Sequence, residues 1–511
     1  MLCMRIQDWI AFLAVIVGSV FFYKSLTVFW ADSELWAVTL SKEHFFLFDS
    51  AFHIPDNAIG MYFKPLHHLM IKFIYFAFPS HWDIMAINRI FGAIIGLGSA
   101  YVYSRIFHDI LSNKKGWAIA FVAIVTTTLY FERGFRIRAD LLASLFHGLV
   151  LYEFFRIQRI EASKRQIKIS MVLIILYETA MVASTVKYLP IWFLLNILYF
   201  FLLVGTPKEK YWARFYKYKF IAQLVAIFIL VMAITLFKAS FLTDYLKTLS
   251  NYASQANSPL FNSYTSKFVH IYRWIIGNPA LWVGYFSLVL FSITRLFFSF
   301  EKVFTNEKNK NFLTFYSVLL FGYVLMTPEK YAYYIASVSP LFSILAVSYF
   351  LHALAKLKEE SGAPINIYGL AGGLLLVKTL LVIIIYSDQW TNFDQRRFQF
   401  ALKSYIEKNN ISSYYDPIGI LPRDMKLFAF LGPNQYSQNK VAFEKVMRLE
   451  PELIVCTRKC NLLPFGWHRT LVEKYEYNSP SVFNLKGLEL NKFQNPTNQS
   501  LNNLFRYDHH K

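Results

Sequence analysis

The chain has 511 residues, of which 56% are hydrophobic and 19% aromatic, while 16% carry a charge. Ordinary soluble proteins hold about 25% charged residues, and here the apolar residues gather into runs near the roughly 20 residues that cross a bilayer as a helix. A soluble globular enzyme is thereby excluded, and the sequence predicts an α-helical polytopic membrane protein. The formal net charge of +20 sits mainly in short loops such as "RIQRIEASKRQIK" and "KEKYWARFYKYK". Loops of that kind stay on the cytoplasmic side and attract anionic lipid, so the charge calls for no nucleic-acid partner.

The first run, "DWIAFLAVIVGSVFFYKSLTVFW", is followed by no A-x-A-like cleavage site and reads as a retained span, not a signal peptide. Apolar runs predict spans at 8–30, 85–106, 117–131, 139–155, 168–186, 189–204, 219–237, 279–299, 311–327, 332–354 and 366–386, about eleven in all. With the N-terminus inside, the basic loops, "ALAKLKEE" among them, fall on the cytoplasmic face. The outer face receives 31–84, "ERGFRIRA", 238–275 and "TPEK". "RGFRIR" is basic on the wrong side and asks for a functional reason. Residues 1–387 form the membrane domain. Residues 388–511 turn polar, with short strands expected in "ISSYYDPIGILP" and "PELIVCT" and a helix in "QRRFQFALKSYIEKN", a small C-terminal α/β domain on the outer face. Within it, Cys456 and Cys460 of "CTRKC" are either a small disulfide loop or two thiols; a pair is too few for a structural zinc site.

The first outer loop is long and opens on "FWADSELWAV", with Asp32 and Glu34 just past the first span. His44, Asp49, His53 and Asp56 follow. "MYFKPLHHLMIKFIYFAFP" then has the pattern of a helix lying at the membrane surface, with Lys64, His67 and His68 near headgroup level. An acid flanking a helix costs little when it faces water, and acids are favoured in a first helical turn, so each carboxylate alone has a structural account. Further on, Arg133, Arg136 and Arg138 precede Asp140 at the start of a span. They make either a plain ion pair or an outer pocket in which guanidiniums fork onto phosphate and Asp140 orients a substrate. Lys187 interrupts two apolar runs beside Pro190, where a lysine also snorkels. Glu329 and Lys330 lead into Tyr331, Tyr333 and Tyr334, which also suit an interfacial aromatic belt.

In this order and on one face, these elements resemble the GT-C glycosyltransferases, nearest the lipid A aminoarabinose transferases and protein O-mannosyltransferases. "ADSELWA" takes the place of their acidic motif, and "YFKPLHHLMIKFIYFAF" is similar to their Lys-Pro-Pro-Leu segment, with the single Pro65 and no Trp. "INRIFGAIIGLGSAYVYSRIF", "RGFRIRADLLASLFHGLVLY", "ASTVKYLP" and "KYAYYIASVSPLFSILA" resemble their later segments, and "YYDPIGILPRDMKLFAFLGP" their outer domain.

The resemblance implies transfer of a sugar from a polyprenyl-phosphate donor to a lipid, glycan or protein acceptor on the outer, periplasmic face of a bacterial inner membrane. It implies catalytic roles for Asp32 and Asp140, and substrate or phosphate contacts from Glu34, Lys64, Arg136, Arg138, Lys187, Lys330 and Tyr333. No cofactor is specified. Glu34 with a loop histidine supplies donors for a divalent metal, at a spacing that identifies none. The rival reading is a multi-span transporter or flippase of a lipid-linked or anionic substrate. Against it, the notable charges lie at the outer edge and the two halves show no inverted repeat.

Overall fold

The computed structural model describes residues 6–27, 64–78, 81–110, 116–127, 130–131, 134–158, 163–203, 308–326, 332–362 and 366–391. It also describes a few positions between 218 and 225, residues 408 and 410, and the strands of a C-terminal sheet. The chain divides into two compact units. One holds Met1–Tyr23, Tyr62–His67 and Arg89–Ile383; the other holds Lys24–Met61, His68–Asn88 and Ile384–Lys511.

Among the described residues ten α-helices run in chain order: α1 (Ile6–Thr27), α2 (Pro65–Ala77), α3 (His81–Ile110), α4 (Trp117–Val125), α5 (Ala139–Gln158), α6 (Lys164–Ser184), α7 (Leu189–Leu203), α8 (Lys308–Met326), α9 (Ala332–Ser361) and α10 (Ile367–Thr391). A 3-10 turn, Val186–Tyr188, joins α6 to α7. Local chemistry sets several of these ends. Pro65 opens α2, where its missing N–H costs nothing. Ser163 and Gln166 close a reciprocal capping box on α6, with N–O distances of 3.3 and 3.0 Å. Asn366 Oδ1 accepts the Gly369 N–H at 3.0 Å at the head of α10.

Two expectations need correction. "ALAKLKEE" is not a loop but the last turns of α9, because its Ala, Leu, Lys and Glu are good helix formers. The helix stops only at Gly362, whose φ of 62° is the left-handed conformation of a C-terminal cap. The span expected at 117–131 is also broken. α4 closes at Val125, and the hydroxyls of Thr126 and Thr127 just beyond it donate to the carbonyls of Val122 and Ala123, at 2.7 and 3.0 Å.

Among the described residues, four stretches are long and apolar enough to cross a membrane: Asp8–Leu26, Ile87–His108, Lys164–Ser184 and Ile367–Ile384. Much of the expected spans at 219–237 and 279–299 lies outside the described residues. Within the helical unit α5 runs along α6, while α9 packs on α4 and α5 and also on α8. Val150, Leu151, Phe154, Ile174, Met181, Leu341 and Leu345 are buried in this packing. Leu374, Val377, Leu381 and Ile384 of α10 are exposed, as suits a lipid-facing surface.

The second unit holds a five-stranded sheet of order β2-β1-β3-β5-β4. β1 (Ser413–Tyr415) is parallel to β2 (Lys426–Leu427) and to β3 (Leu453–Val455). β5 (Val482–Asn484) is antiparallel to β3 and to β4 (Glu476–Ser479). β1 and β3 fall in the two segments expected to form strands. The helix expected in "QRRFQFALKSYIEKN" lies outside the described residues apart from Lys408, as do Cys456 and Cys460.

One segment of the helical unit, residues 134–138, is held from several sides. Gly92 and Gly96, four residues apart on one face of α3, let its backbone come close. A Cβ at Gly92 would collide with the Phe135 carbonyl oxygen, and one at Gly96 with that of Gly134. Tyr130 Oη donates to the Gly96 carbonyl at 2.6 Å. The Phe135 ring packs edge-on against Phe21, with centroids 5.6 Å apart, and takes the Arg89 guanidinium over its face at 5.1 Å. His67 Nε2 meets the Ile137 carbonyl oxygen at 3.4 Å.

Two outcomes follow from this clamp. Gly96→Ala is expected to destabilise the fold by about 1–3 kcal/mol, because backbone must move to admit the methyl group. Gly98→Ala, whose Cβ would find only Leu145 Cδ1 at 3.9 Å, is expected to keep stability or raise it by about 0.5–1 kcal/mol; equal melting temperatures for the two variants would refute the clamp. Burial, with Lys64 beside it, lowers the His67 pKa from 6.5 to about 3, so its imidazole is neutral in the fold. The unfolded chain binds that proton first. This contribution to stability is therefore full above pH 6.5 and is lost as pH falls toward 3. Thermal melts of His67→Asn across that window are expected to show a shallower acid slope than wild type.

Candidate active site

The clamped segment delivers Asp140. Residues 137 and 138 lead directly into α5, and Asp140 stands in its first turn, where the helix dipole favours a negative charge. The carboxylate is buried, 3% exposed, and its Oδ2 pairs with Arg138 Nη2 at 3.1 Å. Oδ1 has no hydrogen bond among the described residues. Three cations act on this carboxylate: Arg138 most strongly, then Lys187 and Lys64.

Each cation comes from a different element. Arg138 belongs to the clamped segment, and Arg136 lies half-buried two residues before it. Lys64 immediately precedes α2. Lys187 stands in the 3-10 turn, where Tyr323 Oη of α8 donates to its carbonyl at 2.8 Å. The structure thus gathers Asp140, Arg138, Lys64 and Lys187, all marked by the sequence. His67 joins them, neutral and donating from Nε2, so it fixes backbone and adds no charge.

Asp32, Glu34 and Lys330 lie outside the described residues, and so does the side chain of Tyr333 in the first turn of α9. The metal reading of Glu34 lies outside them for the same reason. Among the described residues no cluster of three or more His, Cys, Asp or Glu side chains is placed to hold a metal ion. Chemically, guanidinium and ammonium groups around one buried carboxylate form a pre-arranged anion cradle in low dielectric, where such charges count for more than in water.

Three features escaped the sequence reading. The first is the Gly92/Gly96 face, although "GAIIG" carries the small-xxx-small signal. The second is Glu178 in α6, which pairs with Lys219 at 2.5 Å and also accepts from Trp192 Nε1 and Gln223 Nε2, both at 3.0 Å. The third is His147, seven residues beyond Asp140 on α5; a histidine inside an apolar run was the available signal.

No family model and no curated protein matches the chain. Solved structures do. The crystal structure of ArnT from Cupriavidus metallidurans in the apo state aligns with TM-score 0.58 and 14% identity, over 93% of this chain and 97% of that one. The structure of the same protein bound to undecaprenyl phosphate gives TM-score 0.55 and 12% identity, over 92% of each chain. The oligosaccharyltransferase of Archaeoglobus fulgidus, in complex with zinc and sulfate, gives TM-score 0.51 and 12% identity, over 88% of this chain and 67% of that one. At such identities the likeness is one of fold. The chain is an integral membrane protein that shares its fold with ArnT and the archaeal oligosaccharyltransferase.

Proposed function

We propose that the protein is a glycosyltransferase that moves a sugar from a polyprenyl-phosphate carrier to a lipid, glycan or protein acceptor at the outer face of the membrane. The observation that carries this reading is the set of three cations, Arg138, Lys187 and Lys64, around the buried Asp140. It is supported by the whole-chain fold likeness to a protein solved with undecaprenyl phosphate.

In this reaction the acceptor oxygen attacks the anomeric carbon, the bond from that carbon to the phosphate oxygen breaks, and the carrier phosphate leaves with the electron pair. Arg136, Arg138, Lys64 and Lys187 balance the charge that grows on it. Asp140, already paired with Arg138, is a poor proton acceptor and instead holds the cations in place. Asp32 takes the acceptor's proton, or orients an acceptor that is itself ionised. Glu34, Lys330 and Tyr333 complete the substrate contacts. The N-terminus then faces the cytoplasm of a bacterial inner membrane, and 388–511 is an extracytoplasmic α/β domain containing the five-stranded sheet.

Transfer of labelled sugar from a polyprenyl-phosphate pool in membranes tests this. Asp140→Asn and Asp32→Asn are each expected to lower transfer by about 10²-fold or more at unchanged expression. Wild type without transfer, or both variants at wild-type rate, would sink the assignment. A transporter reading draws on one observation, the intramembrane Glu178–Lys219 pair. Neutralising both partners together, Glu178→Gln with Lys219→Met, is expected to leave sugar transfer within a few-fold of wild type. Abolished substrate movement with no transfer in any variant would favour transport.

A further inference from the structure

Beneath Asp140, a line of hydroxyls and one imidazole crosses the helical unit. Asp140, Ser144 and His147 follow one another at i, i+4 and i+7, one stripe of α5. His147 is fully buried, and both ring nitrogens meet tyrosine hydroxyls. Nδ1 lies 2.7 Å from Tyr103 Oη of α3, and Nε2 lies 2.7 Å from Tyr316 Oη of α8. Tyr103 Oη also donates to the Ser144 carbonyl at 3.4 Å. Ser144 Oγ donates to the Ser337 carbonyl of α9, one turn before Pro340, and meets Ser99 Oγ of α3 at 3.4 Å.

A neutral imidazole has one N–H and one lone pair. All of these groups are satisfied together when Nδ1–H donates to Tyr103, leaving that hydroxyl's proton for the Ser144 carbonyl, and Tyr316 donates to Nε2. The two partner helices are also those that hold the site. The stripe of α3 that presents Tyr103 carries Gly92 and Gly96 at i−11 and i−7, which seat the segment leading to Asp140. The stripe of α8 that presents Tyr316 carries Tyr323 at i+7, which holds the Lys187 carbonyl. Tyr188, next to Lys187, stacks edge-on against the His147 ring, with centroids 6.3 Å apart.

We propose that His147 is a positioning residue: by bonding Tyr103 and Tyr316 at once, it fixes the rotation and depth of α5 and so holds Asp140 against Lys187 and Lys64. A turn of α5 by a single residue step, about 100°, would break both bonds and carry Asp140 off the cradle. The glycosyltransferase reading enters only through what Asp140 then does.

The test pairs a stability cycle with kinetics on the full-length protein. In detergent, thermal melts compare wild type, His147→Leu, Asp140→Asn and the double variant. The loss of melting temperature caused by Asp140→Asn is expected to shrink by at least half when His147 is already gone; additive losses overturn the proposal. Should His147→Leu fail to fold, Tyr103→Phe and Tyr316→Phe take its place under the same criterion. In the transfer assay His147→Leu is expected to lower kcat about tenfold with KM within twofold. His147→Asn, whose amide still donates toward Tyr103, is expected to recover at least a third of the wild-type kcat. A change confined to KM, or no recovery with Asn in a folded protein, also overturns it. Absence of transfer in wild type refutes the enzyme reading alone, and the melting cycle still decides the positioning.

Discussion

The site depends on a backbone contact that only glycine permits. Residues 134–137 lie so close to α3 that carbonyl oxygens of the segment occupy the space a Cβ would need at Gly92 and Gly96. The Arg138 side of Asp140 descends from this approach. It puts Phe135 under the Arg89 guanidinium, brings the Ile137 carbonyl to His67, and sets Arg138 where it reaches Asp140 at 3.1 Å. In a bilayer, helices gain nothing from excluding water from one another, so close packing and polar contacts must supply the specificity. A two-glycine face meets that need.

The pairing of Asp140 with Arg138 shapes the division of labour. A carboxylate buried beside a guanidinium, at the positive end of a helix, is stabilised as an anion and has little appetite for a proton. Its value is as a fixed counter-charge that keeps cations converged in a low-dielectric site. Without an anion there, Arg138, Lys187 and Lys64 would repel one another and disperse. The geometry therefore suits a carboxylate that holds cations in place better than one that accepts a proton.

Much of this was legible in the sequence where the signal was chemical and local. Arg138 and Asp140 stood out because a basic outer loop violated the topology rule, and Lys187 because it broke two apolar runs. The strands Ser413–Tyr415 and Leu453–Val455 were legible as short β-branched and aromatic stretches beside turns. What the sequence hid was pairing at a distance. Nothing in the text of α5 says that His147 will find one tyrosine 44 residues before it and another 169 residues after it. Glu178 was hidden for the same reason, since its partners arrive from Trp192, Lys219 and Gln223. The break after Val125 in the 117–131 run was hidden because hydropathy alone counts threonine as tolerable in a span.

Two buried polar clusters of the helical unit illustrate different uses of the same cost. Glu178 and Lys219 form a charged pair whose carboxylate is further tied by an indole and an amide. Such a pair repays its desolvation only in good geometry, and apolar replacements of similar shape commonly do as well. It is weak evidence for function. The Tyr103–His147–Tyr316 line is neutral, so its desolvation is smaller, yet it is far more demanding of direction. An imidazole needs each hydroxyl in line with a ring nitrogen, and the Ser144 carbonyl that takes the Tyr103 proton selects one of its two tautomers, whereas an ion pair tolerates many orientations. A neutral, directional link between the helix that seats the 134–137 segment and the helix that holds Lys187 is therefore the better device for fixing where Asp140 stands.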